Sequence, residues 1–288
     1  MSQVITATAV NELRKRTDMP MMECKSALTE AEGDMNKAIQ ILRERNSKVS
    51  VKRSTNETAE GRISVYIDAA KSTAAILDMR CESAPVTKSE AFMGLANDLA
   101  RQIVETNPAS VEALLAQPCV SGSGTVTERI QEVIGLIREN MKPHRFVRMS
   151  GGQFGEYIHH DGTLGVLLHV QGSKKADATM LRDICSHIAA LNPQYTRIEE
   201  VPADIIAREK ELARQQVESD PKNVGKPANI IEKIIDGKLR ACFAESVLLE
   251  QLVANQTKYE KKTVGQVLNA AGLVIERIVR YKVGEVAL

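Results

Sequence analysis

Apolar positions in the first 45 residues recur at helical spacing. Val10 and Leu13 lie three apart between Thr8 and Arg16 and share one helix face. Thr17 and Asp18 can accept hydrogen bonds from free amides and Pro20 suits a first turn, so a second helix follows through Met21, Cys24 and Leu28 until Gly33. Asp34 caps a third, with Met35, Ala38, Ile39 and Leu42 as its apolar stripe. The pattern predicts a three-helix module over 1–45, small enough to bury little surface and to present a shallow apolar groove. Met21 and Met22 are adjacent, about 100° apart around a helix, so one of them faces outward, as a partner contact or as ordinary packing. From Asn46 to Glu60 the chain is Ser, Thr, Asn, Lys and Glu without an apolar period, which predicts a solvated linker.

From Gly61 the period becomes two. Ile63, Val65 and Ile67 alternate with Ser64, Tyr66 and Asp68, and after a turn near Lys71-Ser72 so do Ala75, Leu77, Met79 and Cys81, which predicts a β-hairpin. A helix follows on Phe92, Leu95, Ala96, Leu99 and Ile103 until Asn107-Pro108. The same order returns between Phe154 and Pro193, with a turn at Asp161-Gly162, a strand from Leu164 to Val170 and a helix through Ile184 and Ile188. Asp98 and Asp183, Ile103 and Ile188, and Asn107-Pro108 and Asn192-Pro193 are each 85 positions apart, whereas Tyr66 and Tyr157 differ by 91. The first copy thus carries about six extra residues in the stretch from Glu82 to Ala91, and an insertion at a strand end is a place for function.

Val111 to Leu115 and Glu128 to Ile137 read as helical packing elements around Pro118 and Ser121-Gly122-Ser123-Gly124. Ala203 to Val217 and Asn229 to Phe243 form a helical hairpin turned at Asp220 to Pro227, with Ile205, Ile206 and Leu212 facing Ile230, Ile231, Ile234 and Ile235. Such an arm docks on another chain or domain, or packs on itself. Thr263 caps a short helix through Ala270, and Ile275 to Val283 alternates as a returning strand. The fold class is α+β: a three-helix module, then two related hairpin-plus-helix subdomains with a helical hairpin.

Composition narrows the chemistry. The 288 residues are 43% hydrophobic, and 38 Lys and Arg against 37 Asp and Glu leave a net charge of +1, which argues against a general electrostatic hold on nucleic acid or anionic lipid. No apolar run approaches the roughly 18 residues of a membrane span and the N-terminus lacks a secretory signal, so a cytoplasmic protein is expected. Five cysteines without a Cys-x-x-Cys pair suit reduced thiols and no zinc site, and the absence of Trp removes stacking platforms for single-stranded nucleic acid. Cys185 and His187 project about 200° apart on a helix and cannot form a thiol and base pair. His159, His160 and His169 have no zinc-ligand spacing, and phosphate-loop, dinucleotide and nucleophile-elbow motifs are absent from the sequence. No cofactor, metal or covalent catalysis is expected; binding and conformational work on a partner remain.

Glu12-Leu13-Arg14-Lys15-Arg16-Thr17, Met21 through Leu28, Gly33-Asp34 and Lys37-Ala38 closely resemble the bacterial translation elongation factor Ts family. The resemblance continues through Glu60-Gly61, the Cys81 to Lys88 loop, His187-Ile188-Ala189-Ala190, Gly225-Lys226-Pro227, Thr263-Val264-Gly265-Gln266 and Val283-Gly284-Glu285. It implies a ubiquitin-associated-like module over 1–45, a linker over 46–60, subdomains over 61–143 and over 144–201 with 247–288, and the hairpin, 202–246, inserted in the second. It implies a guanine-nucleotide exchange factor that binds elongation factor Tu with GDP and releases GDP by disturbing the Mg²⁺ and phosphate site; the alternative is a scaffold that holds elongation factor Tu without exchange. No direct nucleic-acid or membrane partner is implied, and the hairpin leaves a homodimer open. The family loop carries Thr-Asp-Phe-Val, with the Phe as a wedge and the Asp acting near Mg²⁺. Here it reads Ser83-Ala84-Pro85-Val86, so the phenylalanine wedge and the carboxylate are missing, although Pro85 can keep the loop stiff and still offer an apolar surface. Leu13, Met21 and Met22 match residues that grip a partner helix, and His187 matches a histidine that approaches the partner's nucleotide domain; a core histidine satisfied by backbone is the plain alternative. Some members continue into a C-terminal partner-binding helix, a contact expected to be absent from a sequence that ends at Leu288.

Overall fold

The computed structural model describes residues 5–223 and 225–285. Two compact units divide the chain: the described residues of Met1–Ser150, Ile158–Gly165 and Tyr281–Leu288 form one, and Gly151–Tyr157 with Val166–Arg280 form the other.

The first unit opens with α1 (Ala7–Thr17), α2 (Met21–Glu30) and α3 (Met35–Arg53). Their core is Val10, Leu13, Met19, Cys24, Ala27, Leu28, Ala31, Ala38 and Leu42, with Met35 and Ile39 partly buried beside it; of the expected stripes Met21 turns outward, and Met19, Ala27 and Ala31 take part in addition. Thr6 caps α1 and Asp34 caps α3. Pro20, rather than Thr17 or Asp18, stands at the cap of α2, and Asp18 ends α1 in the left-handed region. The expected linker is corrected: α3 continues to Arg53 as one helix. Asn46 is buried there, Val49 packs against the next core, and α3 lies along α6 (Val126–Ile137). A polar stretch stays helical because another helix covers one side of it. Gly135 permits the approach, since a Cβ there would stand 2.0 Å from Asn46 Oδ1.

The first sheet is antiparallel in the order β1 (Glu60–Asp68), β2 (Thr73–Cys81), β3 (Met141–Ser150). Central β2 is buried along its whole length. One face carries Ala75, Leu77, Met79 and Cys81 against Phe92, Leu95, Ala96, Leu99 and Ile103 of α4 (Glu90–Thr106). Register puts Ser64 and Tyr66 of β1 on that face, opposite Leu77 and Ala75, while Ile63 lies on the other face and meets Gly165. Strand β3 is a correction to the expected boundary at 143 and 144: residues through Ser150 pair with β2 and belong to the first subdomain. Pro143 is tolerated because β3 is an edge strand whose register shifts beside it. Between α4 and α6, α5 (Val111–Ala116) buries Leu114 in the same core.

The second sheet runs in the order β4 (Gln153–Ile158), β5 (Leu164–Gly172), β6 (Leu273–Lys282), with α7 (Ala178–Leu191) as its helix. Gly155 lets Leu181 of α7 approach β4 closely. Next comes the helical hairpin of α8 (Ala203–Glu218) and α9 (Ala228–Phe243), then α10 (Val264–Ala271), capped by Thr263. The hairpin packs through Ala213, Val217 and Ile235, with Ile231, Ile234 and Leu239 beside them. Ile205, Leu212 and Ile230 point outward instead of into the expected seam. Among the described residues no helix is long and apolar enough to cross a membrane, and the five cysteines are free.

Candidate partner-binding surfaces

The N-terminal residues singled out by resemblance divide by exposure. Leu13 is fully buried between the three helices, so its expected grip on a partner is corrected: it holds α1 against α2 and α3 and offers no free surface. Met21 is 49% and Met22 72% exposed, in the first turn of α2. A depression of about 330 Å³ beside them is lined by Ile5, Ala7, Val10, Asn11 and Lys25. Met22 also borders a second depression with Glu23, Ser26, Arg45 and Arg138. Two adaptable thioethers, beside one mainly apolar hollow and one lined largely by charged side chains, suit an amphipathic partner helix.

The inserted loop is a 3₁₀ turn over Ala84–Lys88. Ala84 and Pro85 are exposed, whereas Val86 and Thr87 are buried and Val86 joins the core under α4. Four contacts set the backbone around the tip. Val86 N–H donates to Ser83 O at 3.2 Å, Thr87 Oγ1 donates to Ala84 O at 2.7 Å, Cys81 Sγ donates to Ser83 O at 3.4 Å, and Ser89 N–H donates to Val86 O at 3.0 Å. Ser89 then caps α4 through Phe92 N–H at 3.3 Å. Burial pushes the Cys81 thiol up to about 12, with the nearby Glu139 charge adding to it, so Cys81 is a packing residue and not a nucleophile.

Ser83 itself is held by a residue that spacing does not reveal. Its N–H and Oγ–H both donate to the Glu139 carboxylate, at 3.1 and 2.7 Å. Beside it, Glu82 accepts from Asn140 N–H and, at 2.9 Å, from Asn56 Nδ2. Asn140 Nδ2 donates to Asn56 O at 2.9 Å, and Arg138 pairs with Glu23 of α2. Residues 138–140 are a polar connector between α6 and β3; the signal available in the sequence was only an uncommon run, Arg-Glu-Asn, after an apolar helix.

His187 is 1% exposed, so the expected approach of its ring to a partner is corrected in favour of the core reading. Its Nε2 meets Gln251 Oε1 at 2.9 Å and its Nδ1 accepts from Ala254 N–H at 3.1 Å, which assigns the proton to Nε2. Burial lowers its pKa, against a smaller opposing effect of Gln251. The ring thereby fixes the segment that presents Leu252, which is 45% exposed. Burial also raises the Cys185 thiol, away from a reactive thiolate.

The duplication places Gln102 where the second copy has His187, 85 positions on. Gln102 does the same work: it is buried, its Nε2 donates to Gln117 Oε1 at 3.2 Å and its Oε1 accepts from Val120 N–H at 2.8 Å. Further along, Val126 N–H donates to Gln117 O and Val264 N–H donates to Gln251 O, both at 2.9 Å. Thr125 with Glu128, and Thr263 with Gln266, then form matching capping boxes on α6 and α10. Each copy is thus a hairpin, a helix, a clamped loop, a capped helix and a third strand.

Residues 85–285 match the family model described as Elongation factor TS. The chain belongs to the elongation factor Ts family. A protein named Elongation factor Ts from Polynucleobacter asymbioticus is 41% identical over 283 residues, covering 98% of this chain and 90% of that relative. Elongation factor Ts proteins from Trichlorobacter lovleyi and Ralstonia nicotianae are 36% and 39% identical, each over 98% of this chain and over 93% and 91% of their own lengths. Similarity of this extent spans the N-terminal helices, both sheets and the hairpin, so the exposed methionines and the 3₁₀ turn belong to an elongation factor Ts scaffold.

Proposed function

We propose that the chain is a guanine-nucleotide exchange factor of translation elongation in the cytoplasm: it binds elongation factor Tu with GDP and promotes GDP release by disturbing the Mg²⁺ and phosphate site. The observation that carries this reading is membership of the elongation factor Ts family over nearly the whole chain. The exposed Met21 and Met22 and the stiff Ala84–Pro85 tip supply surfaces for it. The work is non-covalent. A partner that binds the nucleotide-free form more tightly than the GDP form weakens GDP by the same free energy. Mg²⁺ and oriented amides hold the phosphates, so displacing a switch segment or the ion loosens them at least cost. Ala84 and Pro85 have no carboxylate to compete for the ion, and their contribution is steric.

Catalytic amounts of the protein are expected to accelerate release of labelled GDP from elongation factor Tu; an unchanged GDP lifetime at every dose overturns the reading. The uncharged Ala84–Pro85 tip favours a second reading, a scaffold that holds elongation factor Tu without exchange. Under it, Ala84→Asp with Pro85→Phe raises exchange sharply; under the first, the change stays below about tenfold.

A further inference from the structure

We propose that Glu139 is a positioning residue for exchange, the backing that makes the Ala84–Pro85 tip a rigid wedge. This rests on the exchange reading above. Ala84 and Pro85 carry no charge and no side-chain hydrogen-bonding group, so whatever they displace they displace by volume. A wedge transmits force only if its base does not yield. The base is Ser83, and both of its donors end on one carboxylate, at 3.1 Å from N and 2.7 Å from Oγ. Hydrogen bonds to an ionised acceptor are stronger than neutral ones and fix direction as well as distance.

The flanking residues extend the device. Arg138 pairs with Glu23, the neighbour of exposed Met22. Asn140 holds Glu82 through its N–H and the end of α3 through Nδ2 to Ser54 O at 3.4 Å and Asn56 O at 2.9 Å. Three successive residues thus tie the helical module and the loop to one connector. The methionine surface and the tip keep a fixed spacing, and a partner seated on α2 meets the tip at a set place. No side chain of the connector needs to touch the partner for this.

The test uses the full chain with Glu139→Ala, Glu139→Gln and Ser83→Ala. Alanine at 139 removes both acceptors. Glutamine retains both contacts, because Oε1 can accept from Ser83 N–H while Nε2 donates to Ser83 Oγ. Ser83→Ala removes one contact. The readouts are the rate of labelled GDP release at saturating protein, the concentration giving half that rate, and hydrogen exchange at the Ser83 amide in the free protein. Glu139→Ala is expected to lower the saturating rate by about tenfold, with half-saturation moving less than about twofold; Glu139→Gln, which keeps both contacts without the charge, recovers most of the rate, and Ser83→Ala falls between the two. Faster exchange at the Ser83 amide accompanies the loss. An unchanged rate in Glu139→Ala, an equal loss in Glu139→Gln, or a loss confined to half-saturation overturns the proposal. Wild-type protein that fails to release GDP refutes the exchange reading instead; Ser83 protection that is unaltered in Glu139→Ala refutes the positioning role without any partner present.

Discussion

Asp78 lies fully buried in the middle of β2 and is shared by two arginines. Arg80 Nε and Nη2 approach its two oxygens at 2.6 and 3.0 Å, and Arg145 Nε of β3 approaches at 3.2 Å with Tyr281 beneath its guanidinium. Taking charges out of water is costly and mutual attraction offsets the cost only while the set is complete. Removal of the one anion leaves Arg80 buried without its counter-charge. Asp78→Ala is therefore expected to destabilise the protein by about 3–5 kcal/mol in urea unfolding; a loss below about 1 kcal/mol would show that water reaches Arg80. His187 makes a different demand, since it must stay neutral to accept from Ala254 N–H. Its pKa in the fold is lowered, so folding favours the unprotonated ring and the unfolded chain binds the proton more readily. The stability this confers is complete above the ordinary histidine value of about 6.5 and is lost as pH falls through the folded pKa. His144 is shifted the same way by burial and is common to both proteins in the comparison that isolates His187. His187→Gln, which copies Gln102 of the first subdomain, is expected to flatten the acid side of the stability profile while leaving stability at pH 8 within about 1 kcal/mol. Parallel profiles for the two proteins would remove His187 from the account.

Among the secondary elements, legibility followed the source of stability. Helices α4 and α7 have apolar stripes and polar caps, and were legible because periodicity and capping chemistry are local. Strand β3 was not: Lys142, Pro143, His144, Arg145 and Arg148 show no clean alternation and were assigned to no element, and pairing with β2 and the Asp78 charge turn them into a strand. The second half of α3 was missed for a related reason, because its stability comes from α6 alongside and not from its own pattern. Resemblance located Leu13 and His187 but not their burial, which is a property of packing. The α3–α6 contact gives a direct check. Any side chain at 135 must enter the space of Asn46, so Gly135→Val is expected to pry α3 from α6 and cost about 1–3 kcal/mol, with faster amide exchange from Asn46 to Arg53. Unchanged protection there would mean that α3 holds its helix unaided. The capping boxes offer a finer comparison: Thr125→Ala and Thr263→Ala are each expected to cost about 0.5–2 kcal/mol, since each removes the hydroxyl that accepts from the Glu128 or Gln266 N–H, the same contact at the same place in its copy.

At the scale of the molecule, the duplication explains how one scaffold can present several of the proposed partner surfaces. Each copy ends its helix in a clamped loop followed by a capped helix, so the copies can diverge at their insertions without disturbing their cores. The first copy gained the 3₁₀ turn, and the second holds the α8–α9 hairpin between its α7 and its clamped loop. Division of labour between surfaces follows from their chemistry. Met22 is an exposed thioether on a helix that a partner could cover with GDP or without it, so on the proposed function its contact would be uniform binding. Pro85 stands on a stiff turn and, on the proposed function, would act only by displacing something, which would place its contact in the step that releases GDP. Met22→Ala is therefore expected to raise the half-saturating concentration about fivefold at an unaltered saturating rate, as loss of about 1 kcal/mol of binding requires. Pro85→Gly, which softens and shortens the tip, is expected to lower the saturating rate at an unaltered half-saturation. Titration of labelled-GDP release against each variant separates the two. If Met22→Ala lowered the saturating rate instead, the helical module would take part in displacement, and the two surfaces would have to be treated as one lever.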